Sequence, residues 1–205
     1  MKKLFFTLFV VILSLTFVSS VSANPQGKTD SKTTYLNELK KYEKQLQVTE
    51  QVPYKEVQLE DGTILFHEIK VNRDIPSVAE RNDISATTAA VTATVTYSIT
   101  SSQGYKNIFG ITLYKLDYTT SWTFDYNTVL SSYSYVQTFN GGGWSLKSTN
   151  SYGPGINDAG REHQWTGTAQ FGIVVGGIDI NIETLSNHHR VKYDGTYSWM
   201  YEVTS

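Results

Sequence analysis

From about residue 91 onward the chain alternates. Val91, Ala93, Val95, Tyr97 and Ile99 interleave with Thr92, Thr94, Thr96, Ser98 and Thr100. A period of two places the apolar set on one side of a pleated strand and the hydroxyls on the other. A longer run puts Tyr114, Leu116, Tyr118, Thr120, Trp122, Phe124 and Tyr126 on even positions, against Lys115, Asp117, Thr119, Ser121, Thr123 and Asp125. Ile111 and Leu113 are out of phase with it, which predicts a bulge near Leu113. Tyr133, Tyr135 and Phe139 share a face before Gly141-Gly142-Gly143, a turn. Trp165, Ala169, Phe171, Ile173 and Val175 share the next face. Gly176-Gly177 then reads as a two-residue hairpin turn into Ile178, Ile180 and Ile182, which alternate with Asp179, Asn181 and Glu183. Val191, Tyr193, Tyr197, Trp199, Tyr201 and Val203 form the last apolar face, with Arg190, Lys192, Asp194, Thr196, Ser198 and Glu202 on the other side. None of these runs has helical spacing. The pattern predicts an all-β domain over 90–205, an antiparallel β-sandwich or partly closed barrel.

Before residue 90 the rhythm changes. Tyr35, Leu39, Tyr42 and Leu46 recur at helical spacing, which predicts a short helix over about 33–47 that needs a surface to dock on. Val57 to Phe66, divided by Asp61-Gly62, reads as a β-hairpin over about 56–70 with a type I′ turn. Asn72 to Ala90 reads as a polar connector. Residues 24–89 thus form a charged leader, with 9 basic and 11 acidic side chains, against 6 and 8 in 90–205. The leader is either a tail whose hairpin adds to the sheet or a pro-region that docks its helix and is later removed.

The first 23 residues carry the pattern of a secretory signal: Lys2 and Lys3, an apolar run from Leu4 to Val18, and small residues at Val21-Ser22-Ala23. The expected product is secreted after cleavage near Ala23-Asn24, with no membrane span in the mature chain. Loss of the two lysines takes the formal net charge from −2 to −4, which excludes the basic footprint of a nucleic-acid binder. With no cysteine in 205 residues, the mature protein relies on its core rather than on disulfides.

Catalytic patterns are sparse. The four histidines, His67, His163, His188 and His189, form no metal motif, and His188-His189 read as solvated rings in a polar turn. Gly143-Trp144-Ser145-Leu146-Lys147 lacks the second glycine of a nucleophile elbow. Most carboxylates of the β-domain occupy polar strand faces. The Tyr/Trp/Ser/Thr/Gly-rich composition is similar to that of small secreted family 11 xylanases, which are two-sheet jelly rolls. Their paired glutamate motifs do not align with this chain, so the likeness implies no residue role.

Asn150 to Gly160 (NSYGPGINDAG) reads as the longest loop of the β-domain. Tyr152, Asn157, Asp158, Arg161, His163 and Trp165 are the candidate binding residues on and beside it. No metal ligand set and no cofactor is expected. With 14 tyrosines and 4 tryptophans in the chain, many rings are expected at the boundary between core and water. The favoured reading is a secreted binding or interaction domain with a tyrosine-rich surface, its partner a cell-wall or extracellular glycan or a protein, with no nucleic acid. The alternatives are a secreted polysaccharide hydrolase using two carboxylates and a pore-forming or self-assembling β protein. Enzyme activity and oligomeric state stay open.

Overall fold

The computed structural model of the chain describes residue 39 and residues 41–74, 94–175 and 178–204, with side chains placed at all of these except 174–181. Among them, nine strands follow in chain order: β1 (Tyr54–Gln58), β2 (Ile64–Asp74), β3 (Val95–Lys106), β4 (Thr112–Phe124), β5 (Val129–Asn140), β6 (Trp144–Asn157), β7 (Glu162–Val175), β8 (Ile178–Lys192) and β9 (Tyr197–Thr204). They form two antiparallel sheets, β1-β2-β3-β4-β5 and β6-β7-β8-β9, each in sequence order. Most strands that follow one another within a sheet are joined by short connections, which favours antiparallel pairing; residues 75–94 separate β2 from β3, and the short step from Asn140 to Trp144 passes from one sheet to the other.

The period of two is realised in β4, where Tyr114, Leu116, Tyr118, Thr120, Trp122 and Phe124 are each at most 1% exposed. Tyr105 stands opposite Tyr114 and Lys106 opposite Thr112, so Leu113 is the extra residue of a bulge, as its phase predicts. In β3, Val95 and Ile99 are buried, and the same phase carries Ser101, Gln103 and Tyr105 inward. Facing side chains of the two sheets meet in a core. At one end Ile99, Trp122 and Phe124 pack with Val191. At the other, the Tyr114 ring lies 4.2 Å from Trp144 and 4.9 Å from Phe171, between ring centroids.

β2 pairs with β3 from Ile64↔Lys106 to Asp74↔Thr96, so the hairpin is part of the first sheet. That strand runs to Asp74 and takes in Asn72, Arg73 and Asp74, which the sequence assigns to the connector. Of the predicted helix, Leu39, Lys41 and Tyr42 are helical, and both Gln45 N and Leu46 N donate to Tyr42 O. In the segment after it Leu46 and Val48 are buried, Val48 in the core with Ile69, Val95 and Val191. The Glu50 carboxylate then accepts from Arg73 Nη2 at 2.6 and 2.8 Å and from the Tyr197 hydroxyl. Residues 1–38, which include the expected signal, Lys40, residues 75–93, Gly176-Gly177 and Ser205 lie outside the described residues. The β7–β8 ladder reaches Val175↔Ile178 on either side of Gly176-Gly177. No helix among the described residues is long and apolar enough to cross a membrane.

Five local expectations are corrected. Asn150–Gly160 is not a loop. β6 runs through Asn157 with bulges at Leu146/Ser148 and Tyr152/Gly155, and a single turn at Asp158–Gly160 follows. Glycine and proline here bend an edge strand instead of ending it. His188 and His189 lie within β8, not in a turn. The β1–β2 turn has positive φ only at Gly62 (87°), and Gly62 N donates to Leu59 O. It is a three-residue loop closed by glycine, not a type I′ pair. Beyond the register shift at Ile173/Val174, Ile182 faces outward and Glu183 is buried, the reverse of the apolar alternation. Finally, the last apolar face is divided between two strands by a turn at Asp194-Gly195, where Gly195 has φ 80°.

Close approach at Gly104 yields a prediction. A Cβ there stands 2.4 Å from Tyr114 O and 2.6 and 2.8 Å from Lys115 Cβ and Cα. Backbone cannot move aside as a side-chain tip can, so Gly104→Ala should cost about 2 kcal/mol by forcing β3 from β4. A urea unfolding midpoint equal to that of the parent protein refutes it.

Candidate functional site

The expected site residues do not converge. Tyr152 is 57% exposed on the outer face of β6. Asn157 and Asp158 sit in the turn at the strand end, with Asp158 at φ 48° and its Oδ2 3.8 Å from Arg161 Nε. Arg161 lies over the Tyr193 ring, 4.2 Å from its centroid. His163 and Trp165 point inward and meet at one hydroxyl: Ser132 Oγ is 2.7 Å from His163 Nδ1 and accepts from Trp165 Nε1 at 2.9 Å. Gly153, at φ 135°, lets the Trp165 ring lie against the β6 backbone, where a Cβ falls 2.8 Å from the ring. Burial holds the His163 pKa below the usual histidine value.

A second polar group lies between the sheets. His189 is 2% exposed, with Nε2 2.7 Å from Ser101 Oγ and Nδ1 2.8 Å from Thr120 Oγ1. Thr120 Oγ1 continues to Ser134 Oγ at 2.6 Å. Asn187 Nδ2 donates to Ser101 O and Oγ, each at 2.8 Å, and Gln103 Nε2 donates to Asn187 Oδ1 at 2.6 Å. Two hydroxyls satisfy both nitrogens of a neutral imidazole, and burial, with a smaller contribution from His188, pushes the His189 pKa down to about 3. A serine beside a histidine suggests a nucleophile and its base. Here both are sealed from solvent and the imidazole is a weak base, so the group works as a core linkage between β3, β4 and β8. Ser101, Gln103 and Asn187 were missed in the sequence. Their signal is parity, since 101 and 103 continue the inward phase of 95, 97 and 99.

The outer face of the second sheet holds the more competent arrangement. Trp165, His189 and Trp199 stand opposite one another across β7, β8 and β9. All three belong to the inward-facing set, so their backbone is left as an open floor. On one side runs the row Tyr152–Thr166–His188–Met200, and on the other Gln164–Arg190–Ser198. Between these rows is a hollow of about 390 Å³. Rows two residues apart are separated by about 6.8 Å. The polar walls are held in place. His188 Nδ1 is 3.0 Å from Thr166 Oγ1, and its Nε2 is 3.2 Å from Glu202 Oε2. Arg190 Nε is 3.3 Å from Glu162 Oε1, which also accepts from Gln164 Nε2 at 2.8 Å. Tyr152 and Met200, each 57% exposed, end the first row with apolar surface.

Of the expected residues, Tyr152 contributes a side chain to this face and Trp165 its backbone. The others were missed, although three triplets mark them: Gln164-Trp165-Thr166, His188-His189-Arg190 and Ser198-Trp199-Met200, each with a large ring between polar or flexible neighbours. Among the described residues no group of three or more His, Asp or Glu side chains could hold a metal ion. No protein-family model, no curated protein and no solved structure matches the chain.

Proposed function

We propose that the chain is an exported binding domain, a β-sandwich that takes a sugar ring of an extracellular glycan in the hollow on the outer face of its second sheet. The observation that carries this reading is the pair of ordered rows, Tyr152–Thr166–His188–Met200 and Gln164–Arg190–Ser198, flanking bare backbone. A pyranose presents hydroxyls around its rim and C–H groups on its faces. Carboxamide, hydroxyl, imidazole and guanidinium groups in fixed positions match the rim, and the exposed Tyr152 ring and Met200 side chain offer apolar contact to a neighbouring residue of the glycan. The Arg190 guanidinium is already paired with Glu162, and Glu202 stands beside His188, which favours a neutral sugar over a strongly anionic one. Because each of these carboxylates is engaged by a neighbouring side chain, Glu162 by Arg190 and Glu202 by the His188 imidazole, binding is a better account of the face than two-carboxylate hydrolysis.

Affinity electrophoresis of the secreted protein in gels containing neutral polysaccharides, with soluble peptidoglycan fragments alongside, tests this reading. At least one glycan should retard the parent protein. His188→Ala, which frees the Thr166 hydroxyl and the Glu202 carboxylate that the imidazole holds in place, should weaken that binding about tenfold, and Tyr152→Ala severalfold. Lack of retardation by every glycan, or equal retardation of the variants, defeats it.

A further inference from the structure

A second hollow of about 390 Å³ lies beside β9, sharing Ser198, Trp199 and Met200 with the first and otherwise lined by different residues. One wall is Tyr197-Ser198-Trp199-Met200-Tyr201, five consecutive residues; the other is Leu46-Gln47-Val48-Thr49, and His67 closes it. Consecutive strand residues point to opposite faces, so no single face offers all five. Only the strand's edge does so, through its backbone. Among the described residues β9 is a terminal strand, paired only with β8 from Thr184↔Thr204 to Val191↔Tyr197. The hollow is thus a slot between an edge strand and the segment beside it.

We propose that this slot receives an extended peptide as an additional strand on β9. The stretch from Tyr197 to Tyr201 spans about 14 Å, enough to pair with four or five residues. Main-chain hydrogen bonds supply affinity, and alternate side chains find different surroundings. On the inner side they meet the rings of Tyr197, Trp199 and Tyr201, which pack against the core, with His67 stacked on Tyr201 at 4.0 Å between centroids. On the outer side they meet Ser198 and Met200. This alternation selects a peptide with apolar residues at every second position. Glu43 is the one carboxylate in the lining, and it selects a basic residue at the end of the peptide that reaches it. Ser198, Trp199 and Met200 border both hollows, whereas Gln164 and Thr166 border only the first and Tyr152 stands beyond it on β6, so a variant at Tyr152 separates a failure of the glycan reading from a failure of this one.

A phage-displayed library of random dodecapeptides panned on the full secreted protein tests it. Selected peptides should alternate apolar residues and carry a lysine or arginine near one end. Synthetic copies should slow hydrogen exchange of β9 amides, and N-methylation of alternate peptide amides should weaken binding at least tenfold. Glu43→Lys, on the segment opposite β9, should weaken the basic peptides severalfold, whereas Tyr152→Ala, three strands away on β6, should leave peptide binding unchanged. Panning that returns no binder protecting β9 amides, or peptides indifferent to N-methylation, overturns the proposal. Binding that survives N-methylation and tracks a ring-bearing side chain instead marks the slot as a small-molecule pocket and overturns it equally.

Discussion

Acidification from pH 7 to pH 4 should remove about 6 kcal/mol of stability, about 3 kcal/mol from each of two histidines. His189 is held neutral between Ser101 and Thr120, and its pKa falls to about 3. His67 is pushed down to about 4, chiefly by burial, with Leu46 O within reach of its Nδ1 opposing the shift. In the unfolded chain both titrate near 6.5. Between that value and the folded pKa the unfolded state binds more protons, so stability rises with pH across the window and is lost as pH falls through it. Burial also lowers the pKa of His163, which acts in the same direction. Glu50, Glu56, Asp125 and Asp194 are held below the usual carboxylate range by hydrogen bonds, and their contribution is lost only at lower pH. A loss of this size rivals the whole stability of an ordinary domain. Urea unfolding midpoints measured from pH 7 to pH 4 check it. The slope should approach two protons per molecule, and His67→Asn, which keeps a donor for Leu46 O, should reduce it by one. Stability that stays flat across that interval contradicts the arrangement of His189.

Gly167→Ala should destabilise the protein by about 3 kcal/mol, lowering its melting temperature by about 6–12 °C. A Cβ on residue 167 stands 2.2, 2.5 and 2.6 Å from three atoms of the Tyr118 ring. That ring is fully buried, lies 4.9 Å from His189 between centroids, and has its hydroxyl 3.2 Å from Ser151 Oγ. It cannot move away without disturbing the polar linkage beside it. Tyr118→Leu in the same chain removes the collision at the cost of a cavity, so the double variant should lose less than the sum of the two single losses. Strict additivity in thermal unfolding indicates that Gly167 and Tyr118 are not in contact.

The unequal legibility of the fold and the site has a physical basis. In β4 every even residue from Tyr114 to Phe124 is large and apolar except Thr120, and there the burial phase follows from pattern alone. β8 shows the opposite: Ile182 and Glu183 suggest one phase while Leu185, Val191 and the inward His189 impose the other. A bulge reverses the phase there, and its position depends on the partner strand. Glycine and proline in Asn150–Gly160 fit a loop or a bulged edge equally well. Only the ladder to Glu162–Phe171 distinguishes them. The site is less legible still, because its rows are assembled across β6, β7, β8 and β9, from residues up to 48 positions apart between Tyr152 and Met200.

The sequence by itself determined that this chain is β-rich, that Val95 and Ile99 of β3, the even residues of β4 from Tyr114 to Phe124 and Ala169 and Phe171 of β7 turn inward, where the first hairpin lies, and that Leu113 interrupts the rhythm. These are local consequences of a two-residue repeat, and each strand carries its own copy of that information. Only the tertiary structure decided that Ser101, Gln103, Asn187 and His189 share the core, that Thr166, His188 and Met200 stand in one row, and that β9 borders a slot. Those facts depend on register between strands distant in sequence, and register is set when two whole sheets bury their facing surfaces together.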